Sequence, residues 1–137
     1  MTPSRQADCE MRTRMPASMD AIEEFFRDLR GNHSRLLDHA DSFAVELLIR
    51  EALTNAVVHG CRTDPARQVR CILRLKLGRL LIAIEDDGAG FDWRAARRHA
   101  AALSDCSGRG TGILQSYASH VRYNNRGNLV AIAKRLR

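Results

Sequence analysis

Glu51 and Asn55 lie four residues apart in Glu51-Ala-Leu-Thr-Asn55-Ala-Val-Val-His59. On an α-helix that spacing sets the carboxylate and the amide about 40° apart, on one face. Their neighbours on that face are Ala44, Leu47 and Val58. A carboxylate buried there without a partner would cost on the order of several kcal/mol. Two answers stand open. Arg50, Thr54 or a distant arginine satisfies both groups internally, or the face opens into a pocket that holds Mg²⁺ and phosphates. Magnesium takes oxygen ligands and keeps several waters, so one asparagine oxygen plus phosphates makes a shell. Glu51 would then act as general base towards a hydroxyl or water.

Two further segments carry chemistry of the same kind. Asp86 ends an apolar strand on the side of Ile82 and Ile84, and Gly88 and Gly90 follow in Asp86-Asp-Gly88-Ala-Gly90-Phe-Asp92. Glycines here admit φ > 0 and let a flat ring approach the backbone, and a carboxylate at the end of such a slot can accept from an exocyclic amine such as adenine's. The alternative is a common Asp-Gly turn. In Gly108-Arg109-Gly110-Thr111-Gly112, glycines precede an amphipathic helix and would turn backbone N–H groups and the helix dipole towards an anion. A plain flexible loop is the alternative. The segment is neither a Walker A loop, which ends in Gly-Lys-Ser/Thr, nor a dinucleotide fingerprint.

The elements that must position these residues are legible from periodicity. Glu10 to Met15 reads as a short edge strand stopped by Pro16, with residues 1–16 otherwise a partly disordered lead-in. Ser18 caps a helix to about Arg30 through the stripe Ile22, Phe25, Phe26 and Leu29, and Gly31-Asn32 stops it. A second helix, capped by Asp41 or Ser42, runs to about His59, with Gly60 as its stop; apolar residues around nearly its whole circumference predict burial on all sides. Val69 to Leu77 alternates at period two, with Arg70, Arg74 and Lys76 on a wet face. Gly78-Arg79 turns into a central strand over Leu80 to Glu85. Helices near 93–102 and 111–119 follow, then strands over 120–124 and 129–134 joined through Arg126-Gly127-Asn128. The order predicts an α+β two-layer sandwich, with helices on one face of a mixed, mostly antiparallel sheet.

The bulk properties narrow the partners. A chain of 137 residues, 45% hydrophobic and 28% charged, reads as one globular domain over 1–137. It holds no apolar run of membrane-spanning length and no signal-peptide stretch at its start, which predicts a cytoplasmic protein with no membrane partner. The four cysteines are scattered, without a Cys-x-x-Cys pair, and predict free thiols rather than a disulfide framework or zinc site. The net charge of +6 admits nucleic acid, an acidic protein or a polyphosphate. Its arginines lack interleaved aromatics, which disfavours direct nucleic-acid binding.

The three segments, in this order, resemble the N, G1 and G2 boxes of the GHKL (Bergerat-fold) ATPase superfamily, shared by gyrase and histidine kinases. The single small domain, the form Glu-Ala-x-x-Asn-Ala-x-x-His-Gly and the 15 residues between Asp92 and Gly108 resemble the anti-sigma-factor serine/threonine kinases of bacterial partner switching. That resemblance implies a homodimer using ATP and Mg²⁺. It would bind a sigma factor or other regulator and phosphorylate a serine on an anti-anti-sigma (STAS-domain) antagonist. It also implies Glu51 as catalytic base, Asn55 as magnesium ligand and Asp86 as adenine partner. Gly88 and Gly90 would be the G1 glycines, and Arg109, Gly110, Thr111 and Gly112 would lie over the phosphates. Family members carry an arginine just before the loop where this chain has Gly108, with Arg109 nearest. The rival expectations are an ATP-binding regulatory switch without transfer and a catalytic fragment of a histidine kinase.

Overall fold

The computed structural model describes residues 9–88 and 117–137. The expectations for the helix near 93–102, for 111–116 of the helix near 111–119, and for Gly90, Arg109, Gly110, Thr111 and Gly112 lie outside the described residues.

Strand β1 (Cys9–Pro16) leads into helix α1 (Met19–Asn32). Ser18 caps α1 as expected, its side-chain oxygen accepting from the Ala21 N–H at 3.1 Å. Gly31 and Asn32 do not stop the helix; they form its last turn, and His33 closes it with an N–H donated to the Leu29 carbonyl. A 3₁₀ turn over Ser34–Leu37 fills the connection between the two helices and buries Leu36. Helix α2 (Ser42–Asn55) follows, extended by a π-helical turn over Ala56–Gly60.

Strands β2 (Gln68–Lys76) and β3 (Arg79–Asp86) form a hairpin. Its two-residue turn is Leu77-Gly78, with φ of 52° and 75°, rather than Gly78-Arg79. Two consecutive positive φ values give the turn whose twist suits a hairpin. Leu77 therefore leaves the inward row assigned to it and is 86% exposed. Strands β4 (His120–Tyr123) and β5 (Leu129–Arg135) complete the sheet in the order β1-β2-β3-β5-β4, and each described pairing is antiparallel. The result is the expected α+β two-layer architecture, with β3 central.

The core lies between the helices and one sheet face. Ile22, Phe25, Phe26 and Leu29 of α1 meet Val45, Leu48, Ile49, Ala52 and Leu53 of α2, and both sets cover Val69, Cys71, Leu73, Leu80, Ile82, Ile84 and Ile132. Arg30–Glu46 and Arg50–Glu23 ion pairs, each at 2.6 Å, lash α1 to α2, with both guanidinium groups within 5.5 Å of the Phe26 ring centre. Burial of α2 on all sides is not what forms. Its core face is sealed, whereas Ala44, Leu47, Glu51 and Asn55 are half-buried and Phe43 is 74% exposed. Among the described residues α2 lies on the sheet beside one other helix, α1, and the apolar pattern alone does not reveal which of its sides that leaves open. Among the described residues no helix is long and apolar enough to cross a membrane.

Asp41 precedes α2 but does not cap it with its side chain. Its buried carboxylate accepts instead from Arg137, from the backbone N–H at 2.8 Å and from the guanidinium at 2.8 and 3.0 Å. Those bonds hold the Asp41 carboxyl below the ordinary range. A lowered folded-state pKa contributes stability above the unfolded value and loses it as pH falls through the folded value. Asp41→Ala is expected to lower the thermal midpoint at neutral pH, with the difference from wild type shrinking below about pH 4. Thermal melts of both proteins across that range check it; equal midpoints at neutral pH would contradict it.

Candidate functional site

The site begins where α2 changes pitch. After Asn55 the chain takes a π turn, with the Cys61 N–H donating back to the Ala56 carbonyl at 2.9 Å and Thr63 to Val57 at 2.8 Å. Single π turns recur at functional positions because they re-aim a helix end without breaking it. Arg62 and Thr63, both with positive φ, then reverse the chain.

This geometry lays Gly60 against the end of β3. A Cβ on Gly60 would come within 2.3 Å of the Asp86 carboxylate, and a Cβ on Gly88 within 1.8 Å of the Gly60 carbonyl oxygen. No real side chain tolerates either distance, so two glycine backbones close around one carboxylate. Gly60, read from sequence as a helix stop, is part of the site. Gly88 is glycine because of the close approach; among the described residues the glycines with positive φ are Gly78 and Gly127.

Asp86 is 3% exposed and, as expected, shares the inward side of β3 with Ile82 and Ile84. Its Oδ1 accepts from the Gly88 N–H at 2.8 Å. Burial pushes its carboxyl above the ordinary range; the Gly88 bond opposes this and neighbouring Asp87 reinforces it. Asn128 holds the Asp86 backbone from both sides: its carbonyl accepts from the Asp86 N–H at 2.9 Å, and its Nδ2 donates to the Asp86 carbonyl at 3.1 Å. Asn124 orders that turn in its own right, its Oδ1 accepting from the N–H groups of Gly127, Asn128 and Leu129. Arg126 donates to the Gly88 carbonyl at 3.0 Å. The sequence signal for Asn128 was only a turn tripeptide, and nothing in it pointed to β3.

Asp87 has a different job. It accepts from Gln68 N–H at 3.0 Å and its carbonyl accepts from Arg67 at 2.7 Å, which extends the β2–β3 pairing. Cys61 lies beside it, its thiol pushed up by burial and by Asp86 and Asp87, so it is held as an unreactive thiol.

A narrow slot runs beside this cluster, lined by Ala52, Asn55, Ile84, Asp86, Asn128 and Val130 among others. Its free space of about 10 Å³ suits about one water, so a flat ring enters only as the walls part. Asn55 and Asp86, distant in sequence, meet there. Glu51 is not a wall; it stands one turn earlier on the half-open side of α2. Arg50, the nearest internal partner considered for it, is engaged by Glu23. Among the described residues neither the Glu51 carboxylate nor the Asn55 side chain has a hydrogen-bond or ion-pair partner. Both groups are half-buried, so solvent reaches them and neither is sealed in the core. The uncommitted amide oxygen of Asn55 is the donor type that a magnesium ion accepts alongside water and phosphate.

The raised Asp86 carboxyl has a stability consequence. The native state binds that proton more tightly than the unfolded chain does, so its contribution is full below the ordinary carboxylate range and is lost as pH rises through the folded value. Above that folded value an ionised Asp86 burdens the fold. Asp86→Asn is expected to flatten the fall of the thermal midpoint as pH rises above the ordinary carboxylate range. Melting curves above that range check it; an unchanged pH slope would contradict it.

No curated protein matches the chain significantly. A solved histidine kinase domain, from the Erythrobacter litoralis EL346 blue-light activated histidine kinase, is similar at 25% identity with a TM-score of 0.48 over 69% of this chain. This chain spans 44% of that one. The family model described as histidine kinase-like ATPase domain matches residues 13–134, so the chain belongs to that family and is an ATP-binding domain.

Proposed function

We propose that this chain is an ATP-dependent serine/threonine kinase that regulates a bacterial partner-switching circuit. In this reading it binds a sigma factor or equivalent regulator, works as a homodimer and phosphorylates a serine on a STAS-domain antagonist. The observation that carries the chemistry is the pairing on α2. The Glu51 carboxylate, without a partner among the described residues, stands one turn from Asn55, whose amide also has none there and which itself lines the slot beside Asp86. A site that merely held nucleotide would need Asp86 and Asn55, but it has no use for Glu51.

The roles follow from position. Asp86, held by Asn128 and Gly88, accepts from the exocyclic amine of adenine. Asn55 would hold Mg²⁺, which would neutralise charge on the phosphates. A serine hydroxyl of the substrate attacks the γ-phosphorus; its O–P bond forms as the bond to the β-phosphate oxygen breaks, and ADP leaves. The hydroxyl proton passes to Glu51. Most of the rate enhancement comes from holding these groups in line rather than from covalent chemistry. In this proposal Gly90 serves with Gly88 as a G1 glycine, and Arg109, Gly110, Thr111 and Gly112 would serve the phosphates.

Transfer of γ-labelled phosphate to a purified STAS protein is the direct test. Glu51→Gln is expected to lower the transfer rate by about 10²–10⁴-fold, the usual weight of a general base, while ATP affinity by calorimetry stays within about twofold. Asn55→Ala is expected to abolish Mg²⁺-dependent ATP binding. Label on a histidine of the chain or its partner would place the protein with histidine kinases. Tight ATP binding with no transfer would make it a switch.

A further inference from the structure

The sheet face turned away from α1 and α2 takes no part in the slot, and its composition is unlike that of the core side. The antiparallel register sets Arg12, Ile72, Ala83, Ala131 and Arg122 in one row across all five strands. The next row reads Glu10, Arg74, Leu81, Ala133 and His120. Each row is apolar at its centre and ends in polar or charged residues. Between them lies an open groove of about 500 Å³ whose floor is Ile72, Leu81 and the three alanines.

Charge on this face is unbalanced. Its acids are already engaged, Glu10 by Arg74 at 2.8 Å and Glu85 by Arg70 at 3.0 Å. Arg122 and, where β2, β3 and β5 end together, Lys76, Arg79 and Arg135 have no acidic partner within 4.0 Å among the described residues. An apolar floor inside a rim of unspent cations favours one kind of occupant. A second copy of the same face would bring these cations against themselves, which disfavours a symmetric contact. Nucleic acid would find no aromatic side chain in either row to stack a base. A bilayer needs apolar groups that protrude, whereas the alanines here lie below their arginine neighbours. A polypeptide supplies what is missing: apolar side chains long enough to reach the floor, and carboxylates for the rim.

The spacing sets its form. Four strand separations of about 4.8 Å put the two ends of a row roughly 19 Å apart. That is the length of about 13 helical residues. We infer that this face docks an acidic amphipathic helix of a partner protein, laid across the strands with its apolar stripe over Ala83 and Ala131 and carboxylates at Arg122 and the Lys76–Arg79–Arg135 end. The surface is opposite the nucleotide slot, and the inference does not rest on phosphoryl transfer.

The test uses the full chain and two fluorescent 18-residue helical peptides with one leucine stripe, one carrying glutamates on its rim and the other lysines. Anisotropy is expected to show the glutamate peptide binding at least about tenfold more tightly than its lysine twin, with a loss on adding salt. Arg122→Glu and, separately, Ala131→Lys are each expected to weaken it about tenfold, while ATP affinity is unchanged and so reports an intact fold. Ala131 is solvent-exposed, so a lysine there obstructs the groove without entering the core. Equal binding of both peptides, binding indifferent to both variants, or preference for an 18-base-pair duplex or phosphatidylserine vesicles would overturn the inference. So would a dimer in sedimentation that Ala131→Lys dissociates.

Discussion

The close approach of Gly60 to Asp86 and Gly88 is the constraint from which the rest of the site follows. A carboxylate can be held at the inner end of a central strand only if nearby polar groups satisfy it, and here one of them is the Gly88 N–H at 2.8 Å. The space around it is closed by backbone rather than side chains, since a Cβ on either glycine would collide. That is why α2 does not simply end at Asn55. The π turn over Ala56–Gly60 carries the backbone the extra distance to the strand, and in doing so sets Asn55 on the wall of the slot. Burial keeps Asp86 easier to protonate than an ordinary aspartate, a penalty that a donor from a bound ring would relieve. Instability of this kind at a binding position is a common companion of function.

Much of this was readable before any coordinates. The Ser18 cap, the stripe from Ile22 to Leu29, the alternation through β2 and the inward side of Asp86 all rest on local periodicity, and each of them forms. Three things were not legible. Leu77 looks inward by alternation, but a two-residue turn takes it out of the strand. The all-round apolar pattern of α2 suggests a helix with no open side, yet hydrophobicity does not say how many neighbours a helix has. Asn128 and Gly60 matter through contacts with residues 42 and 26 positions away, and no short-range pattern encodes those. The largest correction concerns Glu51: all-round apolar patterning predicts a buried acid in need of a partner, whereas the carboxylate sits half-buried and, among the described residues, without a partner.

The sheet separates two kinds of surface. Its helix-covered face supplies the core and, at the ends of β3 and β5, the narrow slot. Its open face keeps a shallow apolar floor inside a cationic rim. A single residue step along any strand moves a side chain from one role to the other, as Ile82 and Ala83 illustrate: the first is 1% exposed in the core, the second lines the outer groove. An ATP-binding domain built this way has a second surface available for protein contact without disturbing the slot.

The central claim is that ATP binds where Gly60, Asp86 and Asn128 converge. Amide NMR of the labelled full chain, titrated with ATP and Mg²⁺, tests it most directly. The account predicts the largest shifts at 55–60, 86–88 and 124–129, with the amides of Ile72, Ala83 and Ala131 nearly still. Saturable ATP binding that leaves Gly60, Gly88 and Asn128 unmoved would contradict it.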